Sequence, residues 1–215
     1  MDGGAQSEQK LDPRQRRTRA ALAEAVLALA ADRGIDGLTV TELTARAQVH
    51  RSTFYQHAST PLELLKATLA GELDALRARY LLDLPRERTE SALRGVTIGV
   101  LEHVERHAAI YGRLDTDAGA TLHSFLGAHF AESARILIAQ SSVDLPDAPE
   151  GVSPSTARAA VRRYIADGFV GAIAAWLHEP PPRDAAAFAE FLDTLMPSWW
   201  AHPARGGSRA PDLEE

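Results

Sequence analysis

The chain has 215 residues, 45% of them hydrophobic and 24% charged, enough to bury one large core or two small ones. It has no cysteine, which excludes disulfides and thiolate metal sites and asks for no oxidising compartment, so a cytoplasmic location is expected. The start MDGGAQSEQK is polar, unlike a signal peptide, and no apolar run approaches the roughly 20 residues of a membrane span. The net charge of −6 is uneven: residues 1–66 carry 9 basic and 8 acidic side chains, the remainder 14 and 21. That imbalance suits an N-terminal part that meets a polyanion and an acidic body.

Residues 1–9 and 203–215 are polar, the latter rich in Gly, Pro and charge, and are expected to be disordered. Between them the apolar spacing is helical and no segment alternates with period two, which predicts an all-α fold with domains at 10–60 and 61–202. A first helix, about 14–33, starts in an arginine cluster (Arg14, Arg16, Arg17, Arg19), buries Leu22, Ala25, Val26 and Leu29, and stops at Gly34. Thr39-Val40-Thr41-Glu42 is a capping box, in which Thr39 and Glu42 satisfy each other's backbone amides and open a two-turn helix ending near Ala47. Val49 in the following turn can plug the corner with the next helix, about 51–57, as a helix-turn-helix needs. On a wheel of 100° per residue, Phe54, Ala58 and the N-cap His50 share the inner side, while Ser52 and Gln56 point outward, flanked by Thr53 and Tyr55, with Arg51 in solvent. Such a helix is a reading head rather than a core element. A further capping box, Thr60-Pro61-Leu62-Glu63, opens a long helix with proline at its first position and amides that could hold a phosphate.

That long helix carries Leu62, Leu65, Leu69, Leu73, Leu76 and Tyr80 and ends before Pro85. The spacing predicts further helices at about 86–108, 120–140, 155–178 and 184–200, with the Pro- and Asp-rich stretch 143–155 as a loop. In the helix expected at 86–108, His107 and then Tyr111 continue the stripe of Val96, Val100 and Val104, and His129 falls on that of Leu122, Phe125 and Leu126. Inward polar groups need partners. They either bond one another and the backbone or anchor a small-molecule effector in a cavity lined by Val100, His103, Val104, His107, Tyr111, Leu122, Phe125, His129, Tyr164 and Phe169. Gly168 with Ala172 and Gly171 with Ala175 offer small residues four apart for close helix approach, and Trp176, Phe188, Leu192, Leu195 and Trp199 extend that surface, so a homodimer through the last two helices is expected.

The order EHVERH lacks the glutamate directly after the first histidine that a zinc-protease motif requires, so the sequence asks for no metal and no cofactor. Glu102, His103, His107, His123 and His129 are the sole cluster that an enzyme reading could use. A helical interaction module that binds no DNA is the other alternative.

LTVTELTARAQVHRSTFYQHAST resembles the DNA-binding signature of the TetR family, and TRAALAEAVLALAADRG, 18–34, resembles that family's first helix. GFVGAIAAWL, 168–177, is similar to the penultimate helix of one subset of the family. The resemblance implies an N-terminal three-helix DNA-binding domain, a C-terminal helical domain for ligand binding and dimerisation, and no enzyme activity. It also implies base-edge and phosphate contacts from Arg51, Ser52, Thr53 and His57, with Tyr55 on a phosphate and Thr39 or Thr41 on the backbone. To these the wheel adds Gln56, and the arginine cluster Arg17 and Arg19. The chain departs from the family pattern at Gln48, where the turn usually has glycine, at His50 and Ser52, at Ala58 for phenylalanine, and at Pro61, where a phosphate-binding lysine is common. Gln48 is therefore expected to take a positive φ. The expected function is transcriptional regulation, by a repressor that leaves a palindromic operator when an effector binds the body.

Overall fold

The computed structural model describes residues 12–114, 119–140, 143 and 145–201, all of its regular elements among them being helical. The termini expected to be disordered, 1–9 and 203–215, lie outside the described residues. Two compact units emerge, one comprising residues 1–72 with 107–112, the other 73–106 with 113–215. No helix among the described residues is long and apolar enough to cross a membrane.

The first unit begins with α1 (Pro13–Arg33), whose N-cap Asp12 accepts from the Arg14 amide and whose end at Gly34 has φ 82°. Helix α2 (Val40–Ala47) and the five-residue α3 (Arg51–Tyr55) follow, then α4 (Pro61–Tyr80), whose first three turns belong here. Leu22, Val26, Leu43, Phe54, Leu65 and Leu69 are fully buried and make this core. The regular part of α3 ends at Tyr55, but the turn expected to 57 stays helical in its bonding, with Gln56 in the right-handed region and the Ala58 amide donating to the Phe54 carbonyl at 3.0 Å. His50, expected on the inner side, is exposed: at the N-cap its backbone is extended (ψ 150°) and its side chain makes no capping bond.

In the second unit the end of α4 is joined by α5 (Thr89–Arg106), which follows a single 3₁₀ turn at Arg86–Arg88. With them stand α7 (Ala120–Ala139), α8 (Pro154–Trp176), α9 (Ala185–Leu195) and α10 (Ser198–Ala201). Its core gathers Leu81, Ala134, Leu137, Val143, Ile165 and Trp200. Tyr80 lies under Gly95 and Leu76 under Gly99, so α4 and α5 run antiparallel with their backbones close. A Cβ at Gly95 would come within 2.6 Å of the Tyr80 ring.

Two predicted helices are each divided. The helix expected at 86–108 stops at Arg106, His107 takes φ −108° and ψ 25°, and Ala108–Tyr111 forms a separate turn, α6, in the first unit. The helix expected at 184–200 ends at Leu195, since Pro197 pushes Met196 out of the helical region to ψ 140°. Trp199 therefore sits on α10 and does not continue the α9 stripe.

Candidate nucleic-acid interface and body cavity

The helix-turn-helix is built by short-range bonds. Thr39 accepts from the Glu42 amide at 3.3 Å, and the Glu42 carboxylate accepts from the Thr39 amide at 3.0 Å, closing the capping box. The other Glu42 oxygen accepts from Arg33 at 2.9 Å, tying α2 to the end of α1. Hydrogen bonds from the Thr39 backbone and side chain, then from Arg33, hold the Glu42 carboxyl at about 2, well below the usual range. Gln48 ends α2 in the left-handed region, φ 54° and ψ 43°, and Val49 donates to the Thr44 carbonyl at 3.0 Å. This reversal aims α3 away from α2.

Phe54 anchors α3 at 0% exposure, with Tyr55 edge-on to it at 5.4 Å. Ser52 and Gln56 are exposed on the opposite side, Arg51 and Tyr55 are exposed on its flanks, Tyr55 by 54%, while Thr53 and His57 are half-buried. Thr39 and Thr41 at the start of α2, and Arg17 and Arg19 early in α1, are exposed as well. The start of α4 differs from its expected form. Thr60 accepts from the Glu63 amide at 3.1 Å, but the Glu63 carboxylate turns to the Ser59 amide and hydroxyl, so the reciprocal bond reaches one residue further back. With that carboxylate seated there, the site is less suited to a phosphate than its bare amides suggested.

Residues 22–68 match the family model of the bacterial regulatory proteins of the tetR family. Over these residues the chain is similar to that family, and its fold is similar to that of solved TetR-family regulators. Solved structures of similar fold include a TetR regulator from Streptococcus agalactiae, with TM-score 0.57 and 17% identity, covering 89% of this chain and 98% of that one. The FadR repressor of Thermus thermophilus, solved with lauroyl-CoA, gives TM-score 0.54 and 21% identity over 82% of this chain and 92% of its own. The dihydroxyacetone kinase operon activator DhaS gives TM-score 0.57 and 14% identity over 83% and 93%. No curated protein is matched by sequence.

The second unit contains a cavity of about 160 Å³, with largely apolar walls from α4, α5, α7, α8, α9 and α10. Of the residues expected in an effector pocket, Val100, His129 and Phe169 line this cavity. Leu122 and Phe125 lie on α7, buried and half-buried, outside its lining. His103 and Val104 are buried in α5 but do not reach it. Tyr164 is 69% exposed, because α8 turns its Ile165 and Ala166 inward and Tyr164 out. His107 and Tyr111 belong to the first unit, where the break after Arg106 carries them. There the His107 Nε2 lies 3.1 Å from the Glu72 carboxylate, and burial, with Glu72 nearby, pushes the Tyr111 hydroxyl far above its usual range.

Five polar residues of the cavity are not among those expected from the sequence: Arg77, Glu90, Thr97, Ser133 and Asp193. Arg77 donates through Nε to Ser133 Oγ at 3.0 Å, through Nη2 to His129 Nε2 at 2.8 Å and the His129 carbonyl at 3.0 Å, and through Nη1 to Asp74 at 2.5 Å. Burial first, then the Arg77 charge, depress His129 to about 4, so its ring is neutral and its Nε2 accepts. The signal was present: Arg77 follows Leu69 and Leu73 at four-residue spacing, and Ser133 follows His129 by one turn.

The residues expected at a dimer interface separate into two groups. Gly168, Gly171, Ala175 and Leu195 are exposed, and Ala172 is half-buried. Trp176 and Leu192, in contrast, are interior at 2% and 3% exposure, Trp176 stacking on the half-buried Phe188 at 5.3 Å. Tyr164 shares one face of α8 with Gly168, Gly171 and Ala175, and Phe191 is exposed on α9 one turn before Leu195.

Proposed function

We propose that this chain is a sequence-specific DNA-binding transcriptional regulator of the cytoplasm, a repressor that leaves its operator when a small molecule occupies the body. The observation that carries the reading is α3. Five residues are anchored by one buried phenylalanine and offer Arg51, Ser52, Tyr55 and Gln56 to solvent after a capped helix and a left-handed corner. Hydroxyls, an amide and a guanidinium on a short exposed helix suit the donor and acceptor edges of a major groove. Arg17 and Arg19, with Thr39, Thr41, Thr53 and His57, would hold phosphates and fix the register.

A two-helix reader of this size needs a second copy to cover a site, and a two-fold dimer implies a palindromic operator with half-sites one helical turn apart. The exposed small-residue face of α8 with Phe191 and Leu195 supports a homodimer. The cavity in the second unit supports an effector, and the lauroyl-CoA held by the Thermus relative is consistent with a ligand in the body. The effector must prefer the conformation that DNA does not, since equal affinity for both would shift nothing.

Selection of bound sequences from random duplex DNA is expected to return a palindrome. Arg51→Ala and Gln56→Ala should each weaken that site by about 1–3 kcal/mol while leaving non-specific binding nearly unchanged for Gln56→Ala. Absence of any sequence-selective complex at moderate salt would overturn the reading.

A further inference from the structure

We propose that the effector is a small monocarboxylate whose carboxylate docks on Arg77 and whose apolar tail fills the space beneath Leu93 and Trp200. This rests on the regulator reading above, and it names the chemistry that the reading leaves open.

Size comes first. A volume of about 160 Å³ is close to that of an engineered cavity that holds one benzene molecule, so the tail is on the order of six carbon atoms or a single ring. Polarity comes next. The walls are aliphatic and aromatic apart from the neutral Thr97 hydroxyl and two places that carry charge. At one, Glu90 and Asp193 are both exposed, with Arg94 3.9 Å from Asp193. At the other, Arg77 is 13% exposed and joined to His129 and Ser133. The antiparallel register that sets Tyr80 against Gly95 and Leu76 against Gly99 separates the two places by about two helical turns, or about 10 Å. A carboxylate is repelled at the acidic end and attracted at the guanidinium end, which fixes the direction in which the ligand lies.

The counter-ion of Arg77 is what makes exchange possible. Asp74 sits one turn earlier on the same helix, is 56% exposed, and meets a single guanidinium nitrogen. Water competes for that carboxylate in a way that it cannot for a carboxylate held inside the cavity, where the surrounding dielectric is lower. His129 and Ser133 keep the guanidinium plane fixed, so an incoming carboxylate meets an oriented donor. An apolar ligand with no acceptor would instead strip water from the Arg77–Asp74 pair and give nothing in return.

The test uses the full chain and three probes of one tail length, hexanoate, hexanamide and hexylamine, with binding read by calorimetry and by tryptophan fluorescence, since Trp200 lines the cavity. Hexanoate is expected to bind at least tenfold more tightly than either analogue, and Arg77→Gln to abolish that preference. Because Arg77→Gln also removes bonds to His129 and Ser133, Asp74→Asn is the decisive variant. It removes the competing charge from beside the guanidinium at an exposed position and should raise hexanoate affinity severalfold without changing that of hexanamide, a gain that misfolding cannot produce. Equal binding of the three probes, preference for hexylamine, or an Asp74→Asn variant that binds hexanoate no better would overturn the assignment. Release of operator DNA is read separately. If hexanoate binds as described but the DNA complex persists, the effector-released regulator reading fails while the cavity's chemistry stands. Release by hexylamine alone would mean the reverse.

Discussion

Gln48 occupies the left-handed region at φ 54° and ψ 43°, a conformation that costs a non-glycine residue about 1–2 kcal/mol, and glycine's extra unfolded-state entropy returns only about 0.5–1 of that. Gln48→Gly is therefore expected to stabilise the first unit by a few tenths to about 1 kcal/mol, seen as a higher urea midpoint with unchanged slope. The corner was legible from the sequence because the surrounding motif demands a turn there whatever residue fills it. His129 presents the opposite case: its place on an apolar stripe was legible, but its partner was not, since Arg77 lies 52 residues away in the chain. Burial and that guanidinium lower the folded pKa from 6.5 to about 4. Above pH 6.5 both folded and unfolded chains hold a neutral ring, and the full stabilising contribution is present. As the pH falls from 6.5 towards 4, the unfolded chain takes up a proton that the folded one refuses, so stability declines, by up to about 3 kcal/mol in all. His129→Gln, which keeps an acceptor for Arg77 but cannot titrate, is expected to flatten the urea midpoint against pH across that window. An unchanged slope would mean that other groups carry it.

At the scale of elements, what the sequence made plain was local chemistry. The Thr39–Glu42 box, proline at the start of α4 and glycine after α1 all act within four residues, and each stands where the pattern put it. Elements whose limits depend on tertiary packing were misjudged. Nothing within two residues of His107 breaks a helix, and the apolar stripe runs straight through it, yet the chain turns there and α6 packs against α1 instead. Pro197 did carry a local signal, but the stripe through Leu192, Leu195 and Trp199 pointed the other way. For the same reason the cavity was only partly legible. Three of its expected lining residues reach it, while those read from the stripe beyond Arg106 fall in the other unit. The capping box gives a direct check of how much α2 depends on its own start. Thr39→Ala removes the acceptor of the Glu42 amide and should destabilise the first unit by about 1 kcal/mol in urea unfolding followed by circular dichroism.

For the whole molecule, the proposed function requires that two reading helices act together, so the α8 face decides more than any contact to DNA. A Cβ added to Gly168 or Gly171 would meet nothing within 4 Å, while Tyr164, Phe191 and Leu195 stand exposed by 69%, 53% and 56%. Exposed aromatic and aliphatic groups beside small residues describe a surface that a second copy can approach closely. A bulky residue there would leave the protomer intact and obstruct only the partner. Leucine is also a better helix former than glycine by close to about 1 kcal/mol per position, so Gly168→Leu with Gly171→Leu should not weaken the fold. The double variant is expected to be monomeric by light scattering at micromolar concentration, with thermal unfolding as high as the parent chain's once the loss of dimer contacts is allowed for. Its affinity for a two-half-site operator should fall on the order of a hundredfold, since each reading head would bind alone, whereas its affinity for an isolated half-site should not change. A double variant that stays dimeric would place the interface elsewhere. One that becomes monomeric but keeps full operator affinity would show that pairing is not what brings the two heads to DNA.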